Sequence, residues 1–114
     1  MILRIEETHV DDSTIVLTLI GEADVFTAPQ IKQKIIDSIE SGIKNFYLDL
    51  NGVEYLDCTS LGVLIGGLKR VQPLDGSFNI VCTNKRIMRI FEITGLDKVF
   101  TMLDALTVNC EKVN

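Results

Sequence analysis

Residues 56–69 read LDCTSLGVLIGGLK, and this stretch decides the fold because it predicts how a strand passes into a helix. Its apolar residues recur at helical spacing and form one stripe, which consists of Leu61, Leu64, Ile65 and Leu68. Asp57 stands just before the stripe, where an aspartate accepts hydrogen bonds from the free N–H groups of a first turn. We therefore predict a helix over Asp57–Gln72, with the positive end of its dipole near Cys58.

The opposite side of this predicted helix carries small and polar residues. At about 100° per residue, it holds Thr59, Gly62, Val63, Gly66 and Arg70. A glycine inside a helix costs about 1 kcal/mol relative to alanine, so Gly62, Gly66 and Gly67 need a reason. One reason is the close approach of another protein, and the other is tight packing of the helix within its own fold. The sequence alone leaves both open.

Strands and helices alternate around this helix. Apolar residues that alternate with polar ones near Leu3–Ile5 and Ile15–Leu19 predict an antiparallel hairpin. The remaining elements are predicted as strands at Phe46–Leu50 and Phe78–Cys82, helices over Thr27–Gly42 and Ile87–Gly95, and a short last strand at Val99–Met102. Strands separated by helices need crossover connections, so most of the sheet should be parallel. We predict an α/β fold with a mixed sheet of four or five strands and helices mainly on one face.

The composition is typical of one globular domain, which we expect to span residues 1–114. The net charge is −5 and the basic residues are scattered, which argues against nucleic acid or anionic lipid as a partner. Apolar runs fall far short of the roughly 20 residues that cross a bilayer, so we expect a cytoplasmic protein without a membrane partner. The three cysteines lack metal-like spacing, and no phosphate-binding or dinucleotide motif occurs. We therefore predict no cofactor, no metal and no enzymatic activity.

The run Leu56–Lys69 resembles the signature of bacterial anti-sigma factor antagonists, which are STAS-domain proteins. That signature consists, in order, of an aspartate, the phosphoacceptor serine, a serine or threonine, and then Gly, Leu and Gly. The segments Gly21–Asp24, Thr27–Ala28 and Ile87–Phe100 also resemble the family, so the resemblance covers nearly the whole chain. It implies the STAS fold.

The resemblance also implies a partner-switching cycle. The unmodified antagonist is expected to bind an anti-sigma factor with serine/threonine kinase activity, which releases a sigma factor. Phosphorylation by that kinase reverses the binding, and an opposing phosphatase would reset the switch. A phosphate suits this role because it adds a charge of about −1.5 to −2 within a docking face.

Six residues are the candidate partner contacts. They are Glu22, Asp24, Asp57, Gly62, Val63 and Gly66. Asp24 matches the family's aspartate in the loop after the second strand, which is expected to lie close to the phosphorylation site. The alternative for Asp24 is an ordinary loop aspartate that caps the next helix, and Asp57 is expected to be a helix cap first and a contact second.

The chain departs from the family pattern at the switch itself. Cys58 stands where the family has its phosphoacceptor serine, and Ser60 stands where it has a glycine. Three explanations are open. Phosphorylation has moved to Thr59 or Ser60, the protein is an antagonist that stays unmodified, or the acceptor has been replaced by engineering. The thiol could also sense redox state, although no second cysteine is near in sequence. A non-phosphorylated STAS scaffold or a regulatory module of a signalling assembly is the alternative function.

Overall fold

The structure is a computed structural model and describes residues 2–104. These residues form five strands and three α-helices: β1 (Leu3–Asp11), β2 (Thr14–Ala23), α1 (Ala28–Glu40), β3 (Asn45–Leu56), α2 (Cys58–Val71), β4 (Ser77–Val81), α3 (Lys85–Thr94) and β5 (Thr101–Leu103). Short 3-10 turns follow α2 and α3. The predicted order of elements is confirmed, and the last short strand is present.

One mixed sheet contains all five strands in the order β1-β2-β3-β4-β5. The hairpin of β1 and β2 is antiparallel, and the other three pairs of neighbours are parallel. In the middle of the sheet Leu17 on β2 pairs with Leu48 on β3, and Leu48 pairs with Ile80 on β4. Each parallel pair is connected through a helix, as crossover connections require. The predicted mixed α/β sheet is therefore confirmed.

The core lies between the helices and one face of the sheet. In the middle of the sheet, alternate residues of β2, β3 and β4 are buried in one cluster, which includes Ile15, Leu17, Phe46, Leu48, Phe78 and Ile80. The helices add Ile31, Ile35, Leu61, Leu64, Ile87 and Phe91 to the same cluster. All three helices therefore pack apolar residues against one face of the sheet, in agreement with the prediction of helices mainly on one face, and the removal of this apolar surface from water drives the packing.

Strand β3 is longer than predicted. The sequence indicated a strand over Phe46–Leu50, but β3 continues through Asn51 and Gly52, which are typical turn residues, to Leu56. The extension is held by β2, which runs beside it through two irregularities in register and pairs Ala23 with Leu56. Burial of Val53 and Leu56 in the core stabilises it further. Tertiary pairing overrides the local turn preference here.

The buried face of α2 differs in part from the predicted stripe. Leu61 and Leu64 are buried as predicted, whereas Ile65 and Leu68 are only partly buried. Ser60, Gly67 and Val71 complete the buried face instead. The predicted helix end at Gln72 is one residue late, because α2 ends at Val71 and passes into a 3-10 turn.

The glycines of α2 serve two different purposes. A Cβ on Gly67 would lie 2.6 Å from Cε2 of Phe78, so this glycine lets α2 pack closely on β4. The Phe78 ring cannot retreat easily, because it packs against Phe46 with ring centroids 5.4 Å apart. At Gly62, in contrast, an added Cβ would have no atom of the described chain within 4 Å apart from its chain neighbours and the backbone of its own helix. Packing within the fold therefore explains Gly67 and does not explain Gly62.

We predict opposite effects of alanine at these two glycines. Gly62→Ala should raise the free energy of unfolding by about 1 kcal/mol, because alanine has the higher helix propensity and meets no neighbour. Gly67→Ala should lower it by about 1–3 kcal/mol, because the new methyl group overlaps the Phe78 ring. Urea unfolding followed by circular dichroism measures both changes. A Gly67→Ala variant as stable as the parent would show that α2 does not pack this closely on β4.

Candidate functional site

The candidate residues lie where β2 and β3 end side by side. Because the two strands are parallel, their carboxyl ends meet at the same edge of the sheet. Glu22 pairs with Tyr55 there, and the backbone N–H of Asp57 donates a hydrogen bond of 3.1 Å to the carbonyl of Ala23. The loop that follows β2 is therefore fixed beside the first turn of α2. Two regions that are more than thirty residues apart in sequence form one surface.

Asp24 organises the loop between β2 and α1. Its side chain is buried, with 3% of the residue exposed. Oδ1 accepts hydrogen bonds from the backbone N–H groups of Phe26 at 2.9 Å and Thr27 at 3.0 Å. Asp24 thus fixes the loop that leads into α1, but it does not cap the helix as the alternative predicted, because Phe26 and Thr27 precede its first residue, Ala28. Its other oxygen, Oδ2, is buried and has no hydrogen-bond partner among residues 2–104.

Thr27 holds the loop before α1 rather than the helix itself. It occupies the N-cap position of α1, but its side chain makes no capping hydrogen bond to the helix. Its hydroxyl donates to the carbonyl of Glu22 at 2.7 Å and accepts from the N–H of Asp24 at 2.9 Å. These bonds tie the loop back to the end of β2. The neighbouring Phe26 is left pointing away from the core, with 77% of the residue exposed.

The first turn of α2 has one capped backbone group and two exposed side chains. Asp57 is the N-cap, as predicted, and its Oδ1 accepts a 3.0 Å hydrogen bond from the N–H of Ser60. Cys58 and Thr59 are exposed, so a thiol and a hydroxyl face solvent. Ser60 is different: it is 0% exposed, and its hydroxyl has no hydrogen-bond partner within the described part of the chain.

Of the remaining candidates on α2, Gly62 and Gly66 lie on the side away from the sheet, whereas Val63 lies at the flank and packs against the core. Gly62 is exposed, while Val63 and Gly66 are partly buried. An added Cβ on Gly66 would meet only the flexible guanidinium of Arg70, at 3.0 Å. Few side chains project from this side of the helix, so the backbone of another protein could approach it closely.

A small cavity joins the acidic candidates to apolar residues that the sequence analysis missed. It has a volume of about 250 Å³ and is lined by Glu22, Asp24, Val25, Phe26, Tyr55 and Asp57. Val25, Phe26 and Tyr55 are large apolar or aromatic residues that are at least half exposed. A signal was present in the sequence, because a loop just before a helix usually carries polar residues and here carries Val25 and Phe26.

The two cysteines in the described residues differ in exposure. Cys58 is exposed, whereas Cys82 follows β4 directly and is buried in the core. Burial raises the pKa of the Cys82 thiol above its ordinary value. Cys110 lies outside the described residues. Among residues 2–104 there is no cluster of three side chains that could hold a metal ion, and no helix is long and apolar enough to cross a membrane.

Comparisons with known proteins point to one family. Residues 6–108 match the STAS domain. The chain is 36% identical over 90 residues to the anti-sigma-B factor antagonist of Staphylococcus aureus, a match that covers 79% of this chain and 83% of the relative. It is 34% identical over 89 residues to the protein of that name from Bacillus subtilis, covering 78% and 81%.

The fold is also similar to solved structures. The crystal structure of an anti-sigma factor antagonist from Mycobacterium paratuberculosis superposes with a TM-score of 0.83 and 25% sequence identity. The match covers 98% of this chain and 95% of the other. The arrangement of five strands and three helices is therefore one that this kind of protein adopts.

We predict that Cys58 reacts with alkylating agents well before Cys82. The thiolate is the reactive form, and burial both shields Cys82 and raises its pKa. Brief treatment of the native protein with iodoacetamide at pH 8, followed by peptide mass spectrometry, should find the label on Cys58 and little on Cys82. Unfolding in urea serves as the control, because both thiols should then be labelled. Equal labelling in the native protein would contradict the exposed first turn of α2.

Proposed function

The chain belongs to the STAS-domain family of anti-sigma factor antagonists, and we propose that it binds an anti-sigma factor with serine/threonine kinase activity and so causes release of a sigma factor. The observation that supports this proposal is the exposed face of α2. This face begins at Cys58 and includes Gly62, where no side chain projects. On this proposal the protein is a regulator in the bacterial cytoplasm, where transcription takes place. Its activity is binding, without a chemical step of its own.

The docking face is proposed to be the first three turns of α2 together with the loop at Asp24. Gly62 leaves space for a partner's backbone, since an added Cβ there would meet no atom of the described chain within 4 Å beyond its chain neighbours and the backbone of its own helix. Val63 and Gly66 continue the surface, and Asp57 fixes the helix start through its hydrogen bond to Ser60. Glu22 and Asp24 extend it across the adjoining strand end.

A phosphate in the first turn would oppose this docking. It would add a charge of about −1.5 to −2 in the middle of the surface. Three acidic side chains, those of Asp57, Asp24 and Glu22, lie nearby. The modified chain would therefore present concentrated negative charge to the partner. A kinase that modifies its own antagonist would in this way be released from it, and a phosphatase would restore binding.

This chain, however, is proposed to remain in the binding state. Ser60 is fully buried, so a kinase could reach its hydroxyl only by unfolding the start of α2. The exposed Thr59 is rotated by about 100° from residue 58 around the helix axis. A kinase aligned on residue 58 meets the Cys58 thiol, which is a poor phosphoacceptor for such enzymes. The missing hydroxyl also favours the second candidate function, a non-phosphorylated scaffold or regulatory module in a signalling assembly.

We predict that the chain stays unphosphorylated when it is incubated with its anti-sigma factor kinase and ATP, and that Cys58→Ser restores rapid modification. The reason is that serine returns the hydroxyl to the proposed acceptor position. Intact-mass spectrometry measures the phosphate, and Cys58→Ala is the matched control that should stay unmodified. Stoichiometric phosphate on the unaltered chain, mapped to Thr59, would show that the acceptor has moved.

We also predict that a bulky residue at position 62 weakens binding. Gly62→Leu should lower the affinity for the anti-sigma factor by about tenfold or more, because the side chain blocks close approach at the centre of the docking face. Isothermal titration calorimetry gives the affinity, and circular dichroism should show an unchanged fold. Gln33→Leu, at an exposed position of α1, is the control and should bind normally. Equal affinities of Gly62→Leu and the parent chain would place the docking face elsewhere.

A further inference from the structure

A groove lies between α1 and α2 at the end of these helices that is remote from Cys58. It has a volume of about 330 Å³, and its apolar lining consists of Ile36, Ile39 and Leu74. Leu74 is 46% exposed, and the two isoleucines are only partly buried. Contiguous apolar groups that remain in contact with water often mark a site of interaction with another protein. The groove is therefore a candidate for a second contact on α2.

Helix α1 carries one more apolar residue than its packing on the sheet uses. Ile31 and Ile35 are buried in the core, and Ile39 packs against its edge. Ile36 does not belong to the core and lines the groove instead. A helix that only covers a sheet carries polar residues outside its apolar stripe. An isoleucine at position 36 therefore suits a helix that has a second apolar contact.

Two residues of opposite charge line the groove without an ion pair. Arg70 lies on α2 and Glu40 on α1, and neither is paired with the other or with any other of residues 2–104. The Arg70 guanidinium reaches back over Gly66, with Nη1 3.0 Å from the position of a Cβ built on that glycine. The cation thus lies on the outer side of α2, where a carboxylate of another protein can reach it.

The charge along the outer side of α2 changes sign from one end to the other. The start of the helix is acidic, because Asp57 and Glu22 lie there, whereas its last turn is basic and carries Arg70. Residue 70 is about 18 Å along the helix axis from Cys58, at a rise of 1.5 Å per residue. A partner that lies along α2 is therefore complementary only if it carries an acidic group at this far end. Such complementarity fixes the orientation of a partner.

We propose that the groove receives an amphipathic helix of the anti-sigma factor. An apolar side chain of that helix would fill the space between Ile36, Ile39 and Leu74, and an acidic side chain one turn away would pair with Arg70. A helix fits because its apolar residues recur every three or four positions on one face, which suits a groove. The proposal rests on the proposed function and extends its docking face from the first three turns of α2 to the end of the helix.

Two pairs of variants test the charge and the apolar packing separately. Arg70→Glu reverses the charge at the groove, and Lys69→Glu is its control, because Lys69 is also exposed in the last turn but does not line the groove. Leu74→Ala removes part of the apolar wall, and Val99→Ala is its control, because Val99 is exposed to a similar degree, at 52%. Circular dichroism should show that all four variants keep the fold.

Calorimetric titration with the anti-sigma factor is the first test. Arg70→Glu should weaken binding by about tenfold or more and Leu74→Ala by about threefold or more, whereas each control should stay within about twofold of the parent chain. The loss in Arg70→Glu should shrink as salt is raised, because salt screens exposed charges. If the parent chain binds and the two groove variants bind as their controls do, the groove proposal is overturned while the proposed function stands.

A second test does not need the partner. Isocaproate is the probe, because it joins a leucine-like end to a carboxylate. Titrated into the methyl-labelled chain, it should shift the NMR signals of the Ile36, Ile39 and Leu74 methyl groups in a saturable way. The uncharged alcohol isohexanol should shift them less, and Arg70→Glu should weaken the response to isocaproate.

The two tests distinguish failure of the groove from failure of the proposed function. If the anti-sigma factor does not bind the parent chain at all, the proposed function fails, and saturable shifts with isocaproate would still support the groove as a site for an acidic, apolar group. The absence of shifts at all three methyl-bearing residues would overturn the groove proposal. Saturable shifts that are the same in Arg70→Glu would contradict the role given to Arg70.

Discussion

The parallel pairing of β2 with β3 is the constraint on which the rest of the site depends. It continues to Ala23 and Leu56 and ends in the hydrogen bond from the Asp57 N–H to the Ala23 carbonyl. This bond fixes where α2 begins and places the Asp24 loop beside it. Without the extension of β3 past Asn51, the chain would leave the sheet earlier and the two regions would not meet.

Helix α2 then connects the core to the proposed docking face. Its inner side is held close to the sheet because Gly67 accepts the Phe78 ring, and Leu61 and Leu64 anchor its first turns. On its outer side, Gly62 has no side chain and leaves the helix backbone open to close approach. This packing fixes the first turn of α2, so that the exposed side chains of Cys58 and Thr59 have a defined position on the surface. The small residues of α2 thus serve packing at Gly67 and are proposed to serve recognition at Gly62.

Much of the fold could be predicted from the sequence because its periodic patterns are strong. The stripes of α1 and α3, the hairpin and the parallel sheet all followed from spacing, and Asp57 was recognisable as a helix cap. The extension of β3 was missed, because only its pairing with β2 overcomes the turn preference of Asn51 and Gly52. The burial of Ser60 and the exposure of Phe26 depend on how α2 and the loop sit on the sheet. The spacing of residues along the sequence does not reveal such three-dimensional relations.

The central claim is that the Asp24 loop and the start of α2 form one docking surface in the unmodified chain. Hydrogen–deuterium exchange of the chain, free and bound to the anti-sigma factor, tests this most directly, because a bound partner slows exchange of the backbone amides that it covers. The proposal predicts slowed exchange at Asp24–Thr27 and at Tyr55–Val63 in the complex. Slowed exchange confined to α3 and β5, with neither of those segments changed, would contradict it.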